Sequence, residues 1–191
     1  MDPRAVRSRT AALAAARDLL MEEGWPGVTH VAVAERSGVG RTTLYRHWPD
    51  TPSLIRDTLA HHIAVAHTEP TGDLRADLLH ELEASRAMLH EPATDRAIRV
   101  VVERSAVDPA FTEMKDALFR AGTRVLRDIV DGGKERGELP ARLDTDLAVD
   151  QLVGPLFFRR LLANRPVPDG YVPEVVDAFL RAHKKKERAQ R

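Results

Sequence analysis

Apolar residues along this chain recur at intervals of three and four rather than on alternate positions, and β-branched runs are short, so the pattern predicts helix almost throughout. A first helix over about Arg7 to Glu23 carries Leu13, Ala16, Leu19 and Leu20 on its inner stripe and stops at Gly24 and Pro26. Thr29 is placed to cap a short second helix, His30 to Arg36, which Gly38 ends. A third begins after Gly40 and stops near Trp48-Pro49. A fourth starts around Thr51-Pro52, with proline in a tolerated first-turn position, and carries Leu54, Ile55, Leu59 and Ile63. Glu69-Pro70-Thr71-Gly72 marks a break. Beyond it the pattern predicts helices at roughly 73–90, 93–104, 109–132, 144–163 and 171–184, separated by Pro92, Pro109, the stretch from Gly132-Gly133 to Pro140, and the turn from Pro166 to Gly170. Asp108 and Asp144 stand where N-caps are expected. The expected fold class is all-α, with about nine helices. A three-helix helix-turn-helix head (1–50) leads through a linking helix (51–70) to a C-terminal helical bundle (71–184), and a basic tail (185–191) is expected to be disordered.

Composition narrows the chemistry. Apolar residues make up 43% of the 191 positions and charged residues 30%, enough for a real core beneath a solvated surface. There is no cysteine, which excludes disulfides, thiolate metal sites and cysteine nucleophiles, and is compatible with a reducing cytoplasm. No stretch approaches the roughly 18 apolar residues of a bilayer span, and no apolar run follows the arginines of the N-terminus, so neither membrane nor export is expected. Net charge is zero, but it is unevenly spread: residues 1–48 hold seven Lys/Arg against five Asp/Glu, 49–180 hold 16 against 23, and 181–191 hold six against one. A mildly basic head on an acidic body lends modest support to phosphate attraction.

The head carries the clearest signal. A helix-turn-helix needs a small residue where its helices cross, a turn residue tolerating positive φ, and apolar inner faces. Ala34, Gly38, and the set Val33, Val39 and Leu44 fill those three roles at the expected spacing. With Leu44 pointing inward, Arg41, Thr42, Tyr45 and Arg46 face outward. Arginine can bond a guanine edge in pairs, and the hydroxyls of threonine and tyrosine suit phosphates or bases. The same segment also reads as a surface helix of an ordinary bundle, and the spacing alone leaves the two readings level.

The run Val28-Thr29 through Ala34-Glu35-Arg36-Ser37-Gly38-Val39-Gly40-Arg41-Thr42-Thr43-Leu44-Tyr45-Arg46-His47-Trp48-Pro49 resembles the DNA-binding signature of the TetR family of bacterial regulators. Ala12-Leu13-Ala14-Ala15-Ala16, Glu23-Gly24-Trp25 and Leu54-Ile55 extend the resemblance over about residues 7–62, and Gly154-Pro155-Leu156-Phe157-Phe158 with Tyr171 to Leu180 resembles a TetR-type C-terminal domain, less specifically. The resemblance implies base contacts from Arg41 and Thr42, and phosphate or groove contacts from Thr29, Thr43, Tyr45 and His47. Two departures stand out. Gly40 replaces the usual serine before the third helix, and Asp50-Thr51-Pro52 replaces the frequent Ser-Lys-Glu, which leaves Thr51 as the hydroxyl donor where the family has a phosphate-reaching lysine.

Two heads on a twofold axis read two half-sites, so a homodimer is expected. The apolar stripes at Leu152 and Leu156, and at Val172, Val175, Val176 and Phe179, are the candidates for a four-helix interface; each also reads as plain monomer core. The family commonly holds a small effector in its body. Met88, Leu89, Val101, Phe111, Met114, Leu118, Phe119 and Phe158 are the candidate lining, against a reading as ordinary core. The histidines at 61, 62, 67, 80 and 90 show no His-x-x-x-His pair, so no metal is expected. Gly38-Val39-Gly40-Arg41-Thr42 fails as a phosphate loop because position 35 is Glu and the lysine is absent. No Gly-x-Ser-x-Gly elbow is present, and no cofactor is implied. The leading expectation is a non-enzymatic, homodimeric, ligand-responsive repressor that binds double-stranded DNA in the cytoplasm. The alternative is a helical small-molecule-binding protein or enzyme whose helix-turn-helix is vestigial.

Overall fold

The computed structural model describes residues 3–66 and 69–183. Among them the chain forms nine α-helices and no strand, as the apolar spacing requires. They are α1 (Pro3–Glu23), α2 (His30–Ser37), α3 (Arg41–His47), α4 (Thr51–Ala66), α5 (Leu74–His90), α6 (Pro92–Ser105), α7 (Pro109–Glu135), α8 (Thr145–Phe157) and α9 (Tyr171–His183). The basic tail 185–191 lies outside the described residues.

Three differences from the sequence pattern have local causes. α1 starts four residues before the predicted Arg7, because Pro3 fits a first helical position, where no N–H is needed. Pro92 opens α6 instead of separating it from α5, for the same reason. The single helix expected over 144–163 is α-helical only to Phe157. Residues Phe158–Leu162 then form a π turn, with Ala163 N–H donating to Phe158 O at 2.9 Å, and Asn164 stops the chain in a left-handed conformation (φ 51°) that asparagine tolerates. Arg159 and Arg160 frame that turn by donating Nε–H to the carbonyls of Pro166 and Leu89.

The described residues gather into two compact units, one falling within 1–66 and 91–122 and the other within 67–90 and 123–191. In the first, α1 packs on α4, α2 and α6 through a face of Ala12, Leu13, Ala15, Ala16, Leu19 and Leu20, all buried. The three alanines let the neighbouring helices come close, while each buried leucine contributes about 1.5–3 kcal/mol. Val28, Val33, Leu44, Trp48, Leu54, Ile55 and Leu59 complete this core, and Ala97 joins it from α6.

In the second unit α5, α8 and α9 pack mutually around Leu78, Leu82, Val149, Leu152, Leu156, Val172, Val176 and Phe179. Leucine side chains crowd Gly133 of α7 here. A Cβ on it would meet Leu74 Cδ1 at 3.1 Å and Leu139 Cδ1 at 3.3 Å. The start of α5 is tied back to its own loop. Asp73 Oδ1 accepts from Ala76 N–H, and Asp77 accepts from Thr71 N–H, Thr71 Oγ1–H and Gly72 N–H at 2.7–2.9 Å. Burial pushes the Asp77 carboxyl up, but those hydrogen bonds and the charge of Arg136 outweigh it and hold the group below the ordinary aspartate value.

A carboxyl lowered in the folded state adds stability above its unfolded pKa and loses it as pH falls through the folded one. Replacing Asp77 with Ala is therefore expected to cost about 1–3 kcal/mol at neutral pH. The difference in melting temperature from the parent should narrow as the pH drops below about 4. An equal difference at pH 7 and pH 3 would show that the ionised carboxyl is not what matters.

Candidate nucleic-acid interface

The interface is built from α2, the turn after it, and α3. Thr29 sits in extended backbone ahead of α2, and its Oγ1 accepts from Ala32 N–H at 3.1 Å. The capping bond uses the oxygen as acceptor and leaves the hydroxyl proton of this exposed side chain to donate outward. α2 ends where Gly38 takes φ 71° and sends its N–H to Ala34 O at 3.0 Å. No atom stands within 4 Å of where a Gly38 Cβ would be, so the demand for glycine is the backbone angle alone. Ser37 stitches the turn, donating Oγ–H to Val33 O and accepting from Val39 N–H.

α3 is seven residues long, and its carbonyl cap comes from Gly40, which accepts from both Thr43 and Leu44 N–H. Leu44 and Trp48, one turn apart, are 0% and 1% exposed and anchor the helix from below. Arg41, Thr42, Tyr45 and Arg46 face out, while Thr43 and His47 are half-buried. Arg41 lies 3.8 Å from Glu35, both in solvent, a pair too exposed to hold the guanidinium in place. His47 Nε2 is closed off from solvent and has no hydrogen-bond partner among the described residues, so any outward contact from this ring falls to Nδ1 or needs the ring to turn.

The departure at Asp50-Thr51-Pro52 has a structural purpose. Asp50 Oδ1 accepts from Ser53 N–H at 2.7 Å and its carbonyl from Ser53 Oγ–H at 2.8 Å, so the aspartate caps α4. These Ser53 bonds, with smaller contributions from Arg56 and His30, keep the carboxyl below its usual value. Thr51 is half-buried in the first turn of α4.

Sequence reasoning passed over the residues that hold this assembly together. Asp57 of α4 accepts from Trp48 Nε1–H at 3.0 Å, from Arg9 of α1 at 2.8 Å and from Arg56 at 3.0 Å. Arg9 also lies over the Trp48 ring, 5.7 Å from its centroid. Buried His30 reaches the Trp48 carbonyl with Nε2 at 2.8 Å. An acid and a histidine beside apolar stripes read as solvated in one dimension, and only tertiary distance reveals their partners.

Residues 12–57 match the family described as bacterial regulatory proteins, tetR family, and residues 68–179 match the tetracyclin repressor-like C-terminal domain. The chain belongs to the TetR family. It is 32% identical over 171 residues to the uncharacterised HTH-type transcriptional regulator Rv1556 of Mycobacterium tuberculosis, covering 88% of this chain and 83% of the relative. It is 28% identical to the DNA-binding transcriptional repressor TetR of Mycobacteroides abscessus, covering 91% of this chain and 92% of that one. The crystal structure of the TetR family transcription regulator SCO0332 superposes with a TM-score of 0.80 at 30% identity, over 93% of this chain and 99% of that one. Members of the TetR family are helix-turn-helix transcription regulators and not enzymes.

The other candidate residues are placed as follows. Leu152, Leu156, Val172, Val176 and Phe179 are at most 5% exposed within the single chain, and Val175 is half-buried. The five have no surface left to give a partner; their stripes close the second unit's own core. Val101, Phe111 and Met114 do cluster, with Leu118, Val100 and Trp25 against them, and Trp25 stacks on Phe111 at 5.3 Å. Leu89 is buried in the second unit, and Phe119 and Phe158 are exposed. Two cavities in the second unit, of about 310 and 570 Å³, are lined by other residues, among them Asp77, Glu81 and Ile129, and Arg75 and Asp177. No group of three or more metal-ligating side chains occurs among the described residues. His62 pairs with Glu91, and His90 is bonded through both ring nitrogens, while His67 lies outside the described residues. Among the described residues no helix is long and apolar enough to cross a membrane.

Replacing Asp57 with Ala should strip Trp48 Nε1–H of its acceptor and cost about 1–3 kcal/mol. In a Trp25→Phe background, where Trp48 alone emits, the fluorescence should shift to longer wavelength. Unchanged emission and an unchanged melting temperature would mean that the indole is held by packing alone.

Proposed function

We propose that this TetR-family chain is a ligand-responsive repressor that binds a palindromic operator as a homodimer. The observation that carries the reading is the outward face of α3, where Arg41, Thr42, Tyr45 and Arg46 stand exposed on a helix anchored from behind by Leu44 and Trp48. Arg41 and Thr42, at the helix start, read base edges; Thr29, Thr43, Tyr45, His47 and Thr51 contact phosphates or groove walls. Repression is supported by the name of the M. abscessus relative. By role, residues 1–50 bind DNA, 51–70 link, and 71–184 pair the subunits and receive the effector.

With the buried stripes assigned to the core, the partner face falls to the large apolar residues that the second unit leaves outside. Leu147, Phe158 and Leu162 are 52%, 63% and 77% exposed. Spaced by eleven and four residues along α8 and its π turn, they share one side, with Gly154 open between them. A second copy of the same face would bury all three and leave two heads on a twofold axis. An effector acts on such a dimer by binding one head spacing better than another.

On an operator selected from a random duplex pool, mobility shifts should weaken steeply with added salt. Arg41→Ala should relax base preference at one position per half-site and cost about 1–3 kcal/mol there. An unchanged ranking of operator variants would remove Arg41 from base reading, and retention of no duplex at any salt would favour the vestigial alternative. Separately, Phe158→Glu with Leu162→Glu should convert a dimer to a monomer in sedimentation without lowering helix content. A dimer that survives both changes pairs through some other face.

A further inference from the structure

Tyr45 is the aromatic side chain on the outward face of α3, and 53% of it is exposed. It is nevertheless not loose. The imidazole of His30 lies almost parallel to it, with ring centroids 4.2 Å apart and planes 10° from coincident. His30 is 5% exposed and is the first residue of α2. Its Nε2 is 2.8 Å from the Trp48 carbonyl oxygen, and since a carbonyl only accepts, Nε2 carries the proton. One side chain from α2 therefore touches α3 twice, in the middle of its outward face and at the residue that ends it.

A helix of seven residues does not hold its own geometry in water. Leu44 and Trp48 secure the inner side only. An exposed phenol on such a helix would sample several staggered rotamers, and ordering it at binding would cost affinity. We infer that His30 is a positioning residue for DNA recognition: buried and making no outward contact, its ring fixes the direction in which Tyr45 presents its hydroxyl to the duplex. The inference rests on the reading of α3 as the element that enters the groove. Aromatic pairing of this kind corresponds to about a two- to tenfold effect on affinity.

The two contacts can be separated. His30→Phe keeps a flat ring and loses the N–H; His30→Gln keeps an N–H able to reach the Trp48 carbonyl and loses the ring. Each is combined with Tyr45→Phe, and operator affinity is measured by mobility shift and corrected for the folded fraction. His30→Gln alone should lower affinity about two- to tenfold. Tyr45→Phe should weaken binding equally in the wild-type and His30→Phe backgrounds and much less in the His30→Gln background. An effect of Tyr45→Phe that is the same size in all three, or absent in the wild type, overturns the inference. If the His30 variants do not fold, the unaltered protein still decides. Tyr45, one of two tyrosines, should show ring-current-shifted proton signals and a single χ1 rotamer without DNA, and rotamer averaging there overturns it. A wild-type chain that retains no duplex sinks the DNA-binding reading and this inference together, whereas normal wild-type binding with uncoupled variants sinks this inference alone.

Discussion

Trp48 is where the head is held together. Its ring lies in the core at 1% exposure and its N–H closes the last turn of α3 onto Leu44. Its indole N–H goes to Asp57 of α4, its carbonyl receives His30 of α2, and Arg9 of α1 covers its face. Four helices thus meet on one residue. A seven-residue helix gains too little from its own hydrogen bonds to stay formed, so its orientation is decided by such outside contacts. Leaving the indole N–H buried without Asp57 would cost about 1–3 kcal/mol, comparable with the burial of a core leucine. The outward row of Arg41, Thr42, Tyr45 and Arg46 is useful to a DNA-binding protein only because this grip fixes its direction.

The same logic, burial deciding what is left for binding, governs the second unit. Amphipathic periodicity marks a stripe as apolar but does not say what covers it. Here Leu152, Leu156, Val172, Val176 and Phe179 are covered by their own chain. The large apolar side chains that this unit leaves open to another molecule are Leu147, Phe158 and Leu162. The π turn at Phe158–Leu162 has a part in this, since its wider turn changes which side chains of that segment point outward.

Much of the fold was legible in advance. Helix ends marked by Thr29, Gly38 and Asp144 fall where the caps require, with Thr29 and Asp144 each accepting from a backbone N–H three residues on. The outward and inward sides of α3 were readable from Leu44 alone, because 3.6-residue periodicity distributes its neighbours. Asp50, which opens the Asp50-Thr51-Pro52 departure from the family's Ser-Lys-Glu, is the cap of α4. That role follows from the Asp-x-x-Ser spacing, which sets the Ser53 N–H three residues beyond the carboxylate. The eight apolar residues proposed as a pocket lining shared only hydropathy, which carries no information about enclosure.

By itself the sequence determined the helical class, the turn at Gly38, the exposed row on α3 and the family, since each depends on spacing within a few residues and on backbone preferences that act locally. Only the tertiary structure decided that Asp57 and Arg9 meet at Trp48, that His30 lies against Tyr45, and which apolar residues remain outside. Those facts depend on distances between residues far apart in the chain. The hydropathy of one position is the same whether a neighbouring helix covers it or leaves it to solvent.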